Sequence, residues 1–308
     1  MKTANLKSRW HKLLKQVWRH RILYLMILPP IITVFIFHYI PIYGVQIAFK
    51  DFSSRLGIWG SKWVGLKHFK AFVSHPFFGR IMWNTFWLNV VSLIFWPSSI
   101  ILAILLNEMR SPKLKKTCQM LTYAPYFVST VVVCSMCRMF LNRGGLLNII
   151  ADVFGFEYAN LLSSAKAFPW INAVVDLWRG LGWGTIIYLS ALAGVSTELV
   201  EAARVDGATR LQVIWHVNLP HLKPTIITLL ILRMGSMLSA GFEQIFLLQT
   251  PLNLDASTVI STYVYEVGLV SQQFSYSSAI GLFNNIVNVI LILVANAISK
   301  KVSETSLW

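Results

Sequence analysis

The sequence predicts an all-α membrane protein with six transmembrane helices and both termini on the cytoplasmic side. Three observations predict it. Only 13% of the 308 residues are charged while 56% are hydrophobic, against roughly 25% charged in an average soluble domain. Six stretches have the ~20 mostly apolar residues that a bilayer core requires. The 27 Lys and Arg residues also divide unevenly between the loops those stretches define, as orientation in a membrane demands. A net charge of +15 would suggest nucleic acid in a soluble chain; beside a bilayer it marks cytoplasmic loops facing anionic lipid.

The six stretches run over about 22–42, 83–106, 118–140, 171–194, 224–249 and 279–299. The first carries no charge and is too long for a cleaved leader, and no small-residue cleavage site follows it. Pro29–Pro30 within it predict a kink. Sixteen basic residues fall in segment 1–21, the 2–3 loop, the 4–5 loop and the C-terminal tail 300–308. Eight fall in the alternate loops, and Arg138, Arg179 and Arg233 lie inside spans. The richer side is cytoplasmic.

Segment 1–21 has a pattern of its own. Trp10, Leu13, Leu14, Val17 and Trp18 recur at helical spacing with basic residues on the opposite face, which predicts an amphipathic helix lying on the lipid of the inner leaflet. The external loop 43–82 mixes aromatics, glycines and basic residues, and predicts an extended segment followed by a short helix over 66–73. The 5–6 loop, 250–278, reads as a polar external loop rich in Ser, Thr and Tyr.

Catalytic signatures are absent. The chain has no G-x-x-x-x-G-K-[ST], H-E-x-x-H or G-x-S-x-G. Ser163-Ser164-Ala165-Lys166 matches S-x-x-K without its companion motifs. Cys134 and Cys137 stand three apart within a span with no second pair, so they read as packing residues rather than a zinc or redox site.

The cytoplasmic segment 195–223 carries the strongest signal. Glu198, Glu201, Ala202, Ala203 and Val205 form a short helix with Ser196 or Thr197 as its N-cap. Gly207 allows a sharp turn. Leu211, Val213, Ile214 and Val217 begin a second helix that Pro220 is expected to end. A helical hairpin this apolar must pack on its own bundle or on another protein.

Glu201-Ala202-Ala203, three residues, Gly207, nine residues, then Val217-Asn218-Leu219-Pro220 resembles the EAA signature of ABC-importer permeases. Val217 stands where the family has Ile, which keeps the apolar contact. The resemblance implies the type I importer transmembrane fold over the whole chain and a coupling role for Glu201, Ala202, Ala203, Gly207, Val217, Leu219 and Pro220. It further implies a bacterial cytoplasmic-membrane location, a second homologous permease subunit, a cytoplasmic ABC ATPase dimer and an extracytoplasmic solute-binding protein. On that reading this chain is a transport subunit and not an enzyme. ATP and Mg are bound by the partner ATPase, and the chain has no cofactor of its own. Residues 48–52 and 57–69 resemble the first external loop of carbohydrate-uptake permeases, in the branch associated with complex oligosaccharides such as those derived from pectin and alginate. An oligosaccharide substrate is thereby implied, with another solute such as a peptide or polyamine as the alternative.

Ionisable and polar residues at membrane depth are costly and mark transport pathways. Asp176 and Arg179 fall at i, i+3 in the fourth span. Arg233, Ser236, Ala240 and Glu243 fall on one stripe of the fifth span, and Asn284 and Asn288 share a face of the sixth. With Trp183 nearby, these are the candidate residues of a translocation cavity, hydroxyl groups being met by polar side chains and C–H faces by aromatic rings. The two arginines suit a carboxylate, hence uronate-containing oligosaccharides. The competing reading is internal: Asp176 and Arg179 neutralise each other, Arg138 snorkels, and the asparagines bind across helices.

Overall fold

The computed structural model describes residues 16, 18–142, 144–155 and 160–303. Most of the expected amphipathic helix, including Trp10, Leu13, Leu14 and Val17, lies outside the described residues, as do Arg143 and the tail beyond Ser303.

Two compact units divide at Lys67. The first contains the helical run Arg21–Phe49, 29 residues long, none of whose most apolar window is buried. Pro29 and Pro30 sit inside its opening α-helix, Arg21–Val34, and Thr33 Oγ1 donates back to the Pro29 carbonyl at 2.9 Å. A wide π-turn, Phe35–Tyr39, follows, an accommodation typical of proline-bearing helices. Beyond it, Lys50–Asp51 pairs antiparallel with Lys62–Trp63. The ring of Phe49 stacks on Trp63 at 5.6 Å, and Lys67 bonds Asp51 at 2.8 Å.

The second unit is helical. A short helix at Lys67–Val73 stands where the sequence predicts one. Phe78–Glu108 and Phe274–Lys301 are continuous and apolar enough to cross a bilayer. Of the other three predicted spans, the third and the fifth are modified. The third bends by 96° between Pro112–Phe127 and Thr130–Val153. Pro125, lacking a donor, sits in a 3₁₀ turn, and Ser129 caps the helix that follows. The fourth, Phe168–Leu192, meets Thr197–Val205 at 76°.

The fifth span departs most from expectation. Its helix Leu219–Met234 has 16 residues, roughly 24 Å at 1.5 Å per residue, and is too short to cross alone. Residues 235–241 unwind, and helix resumes only at Phe242–Leu248. The expected stripe of Arg233, Ser236, Ala240 and Glu243 is therefore not one helical face. Hydropathy overlooks the break because Met237, Leu238 and Ala240 are apolar and buried. Their side chains pack inward while the backbone between Gly235 and Gly241 leaves the helix.

The segment expected as an external polar loop, 250–278, also differs. It folds into two short helices, Leu254–Ser257 and Ile260–Tyr265, and a π-turn, Glu266–Val270. Buried Asn253 organises it, donating to the carbonyls of Leu162 (2.8 Å) and Leu248 (3.2 Å) and accepting from Ser257 Oγ and Thr250 N–H. Arg138 does not snorkel: its Nη2 donates to the Gln249 carbonyl at 2.8 Å, at the C-terminal end of a short helix where a cation is favoured.

Close packing of spans two and four holds the centre. Ile100 and Ala103 meet Tyr188, Leu192 and Leu222. Thr185 Oγ1 donates to the Ser99 carbonyl at 3.2 Å. Gly182 lies against the Thr122 carbonyl and the Tyr123 ring, where no side chain would fit. Cys134 is buried among Leu88, Leu162, Phe168 and Ile245, with Cys137 packed against the cluster.

Candidate functional site: a charged intramembrane cavity and a projecting helical loop

Two cavities adjoin the fourth span. One, about 330 Å³, is bounded by Ser92, Ser99, Asp176, Gly180, Tyr188 and Arg233 among others. The second, about 260 Å³, is bounded by Asn89, Asn172, Asp176, Arg179, Glu243 and Gln244 among others. Asp176 and Ser92 line both. Four ionisable residues foreseen from the sequence thus converge, from the fourth span and from both halves of the broken fifth. The unwound segment contributes Ala240 and Gly241 to the lining, and membrane proteins tolerate irregular backbone where it lines such a cavity.

The two carboxylates and two guanidinium groups balance in charge yet do not pair. Among the described residues no ion pair joins any two of them. Arg179 Nη1 reaches neutral Gln244 Oε1 at 3.5 Å, and its buried Nε has no partner. Gln244 is itself anchored, its Nε2 donating to Asn172 Oδ1 (2.8 Å) and to the Asn172 carbonyl (3.0 Å). The Tyr188 hydroxyl is buried at the first cavity without a partner. The cavity walls therefore hold unspent donors, which suits a polar ligand rich in oxygen.

Trp183, Asn284 and Asn288 line neither cavity. Trp183 stacks face to face on Tyr126 at 4.4 Å. Asn284 is half-buried, with an unpartnered Oδ1. Asn288 braces the break in the fifth span, accepting from Leu238 N–H and donating to Ser239 Oγ. Asn172 and Gln244 escaped the sequence reading, although Asn172, Asp176 and Arg179 follow the i, i+4, i+7 pattern of one helix face.

The loop 195–223 is a helical hairpin. Thr197–Val205 carries Glu201 and Ala202, both exposed, and Ala203, half-buried. Ser196 occupies the N-cap position without a side-chain bond. Gly207 has φ +82°, a conformation that glycine adopts at little cost. Thr209 and Gln212 then form a reciprocal capping box at the next helix. Pro220 does not end that helix. A π-turn, Ile214–Asn218, precedes it, and the helix runs on through Pro220 into Leu219–Met234, the widened turn being an accommodation typical of proline-bearing helices. Val217 and Leu219 are half-buried and Pro220 exposed. Buried Asn218 ties the turn to the second span through Glu108 Oε1 at 3.3 Å. Leu199, Leu211, Trp215 and Val205, the last 86% exposed, project from the hairpin, an apolar surface of the kind that protein partners cover.

Residues 97–304 match the family described as binding-protein-dependent transport system inner membrane component. The chain belongs to that family. This inner-membrane permease is similar to the polygalacturonan/rhamnogalacturonan transport system permease protein YteP of Bacillus subtilis (strain 168), 43% identical over 98% of this chain and 95% of the relative. It is likewise similar to Protein LplB of the same organism, 42% identical over 99% and 96%. Among solved structures it resembles a chain of a bacterial alginate ABC transporter in complex with an alginate pentasaccharide-bound periplasmic protein. That likeness has a TM-score of 0.85 and 35% identity, covering 95% of this permease and 99% of that chain. The permease thus has the type I ABC permease fold.

Proposed function

We propose that this permease forms half of the translocation pathway of an ATP-driven importer for oligosaccharides, specifically ones carrying uronate groups. Relatives whose names specify polygalacturonan/rhamnogalacturonan transport and alginate transport support the acidic class. The single observation that carries the proposal is Arg179: a guanidinium at the cavity wall with a buried, unpartnered Nε and no carboxylate in contact. A uronate carboxylate supplies the acceptor it lacks, through the bidentate geometry that guanidinium groups favour. Asp176 and Glu243 accept from sugar hydroxyls in the same cavity.

On this reading the chain crosses the membrane six times, with both termini in the cytoplasm, residues 43–82 outside and residues 195–223 inside. Glu201, Ala202, Ala203 and Gly207 then face a separate ATPase dimer, which binds ATP and Mg, while Val217, Leu219 and Pro220 join the hairpin to the fifth span. A second permease completes the pathway, and a solute-binding protein delivers the sugar. The test is uptake of acidic and neutral oligosaccharides of matched length by the assembled transporter carrying Arg179→Ala. A selective loss of acidic substrates is expected, and equal loss of both would sink the proposal.

A further inference from the structure

A third cavity, about 310 Å³, opens on the far side of Phe242. It is bounded by Phe242 from the fifth span, Ser261 and Tyr265 from the helix Ile260–Tyr265, and Phe274 and Ser277 from the last helix. Phe242 is common to this cavity and to the charged one holding Arg179 and Glu243. Its ring belongs to a triad: Phe242 lies 5.2 Å from Phe246 and 5.0 Å from Tyr265, and Phe246 lies 5.1 Å from Tyr265. No charged residue lines the third cavity. Ser261 Oγ donates to the Ala240 carbonyl at 3.1 Å and Ser277 Oγ to the Phe274 carbonyl at 3.1 Å, which leaves both oxygens as acceptors.

The chemistry of the two neighbouring cavities is complementary. One offers charge for a carboxylate; the next offers ring faces and hydroxyl acceptors but nothing for an anion. A pyranose presents the same division, with hydroxyls around its edge and an apolar C–H face. We propose that the Phe242–Tyr265 cavity is a chain-extension subsite, where a further sugar unit stacks on the aromatic triad while its neighbour engages Arg179. Its volume is at the lower end for small-ligand sites, about 300 Å³, so it takes one unit rather than a chain. The inference rests on the saccharide reading above and adds to it a dependence on chain length.

The test uses the complete transporter in proteoliposomes with its binding protein and two substrate series of one to six units, one uronate and one neutral. Phe242→Leu and Tyr265→Leu keep apolar bulk and remove the ring face. Each is expected to slow uptake of the dimer and longer members by about three- to tenfold, with the monosaccharide within about twofold of wild type. Equal loss at every length, or no loss at any, overturns the subsite. So does loss of the second permease on purification, which would make the triad a subunit contact. If wild type carries only the neutral series, the uronate reading fails while the length dependence is still measured there. Transport of neither series overturns both.

Discussion

Asn288 Oδ1 accepts the backbone N–H of Leu238 at 3.0 Å while its Nδ2 donates to Ser239 Oγ at 2.9 Å. One side chain from the last helix thus serves the unwound stretch of the fifth span, where the helical partners of those groups are gone. A buried amide left unpaired costs about 1–3 kcal/mol. Asn288→Leu is expected to destabilise the permease by about that much, measured as a lower melting temperature in detergent, with membrane insertion unchanged. An unaltered melt would show that the break is held by other contacts.

Gln244 is expected to position Arg179. With its amide held by Asn172 at 2.8 and 3.0 Å, its carbonyl oxygen faces the guanidinium. Gln244→Leu keeps the approximate volume and removes that acceptor. The half-saturation concentration for acidic oligosaccharides should rise about three- to tenfold, with the maximal rate little affected. An unchanged half-saturation value would show that Arg179 is oriented without it.

Glu201 stands exposed on the hairpin beside the exposed apolar side chain of Val205. Glu201→Lys should weaken co-purification with the ATPase and abolish uptake while leaving the permease inserted. Gly207→Val, forced to φ +82°, carries a left-handed backbone penalty of roughly 1–2 kcal/mol and should act in the same direction. Wild-type uptake by Glu201→Lys would remove that residue from the coupling surface.

Gly182 packs where a Cβ would come within 2.6 Å of the Thr122 carbonyl carbon and the Tyr123 ring. Backbone cannot rotate away, so Gly182→Val should cost about 1–3 kcal/mol or more and reduce the folded yield on size-exclusion chromatography. Gly79→Ala, with nothing within 4 Å of the added carbon, is the matched control and should behave as wild type.

Much of this permease is legible in its sequence, because two signals are local. Hydropathy reports the lipid contact of each stretch, so Phe78–Glu108, Phe168–Leu192 and Phe274–Lys301 fall close to expectation. The spacing from Glu201 to Pro220 reports a helical hairpin turning at Gly207, whose positive φ requires a residue without a Cβ. The cost of ionisable groups in lipid likewise singles out Asp176, Arg179, Arg233 and Glu243. Only the tertiary structure decided how those four meet. Periodicity assumes an unbroken helix, and a break costs nothing in hydropathy when its residues remain apolar. What permits the break lies about 50 positions away in Asn288, and what orients Arg179 lies 65 positions away in Gln244. Hydrogen bonds between distant helices leave no period in the chain, so the charged cavity and its aromatic neighbour emerge only when the spans are packed together.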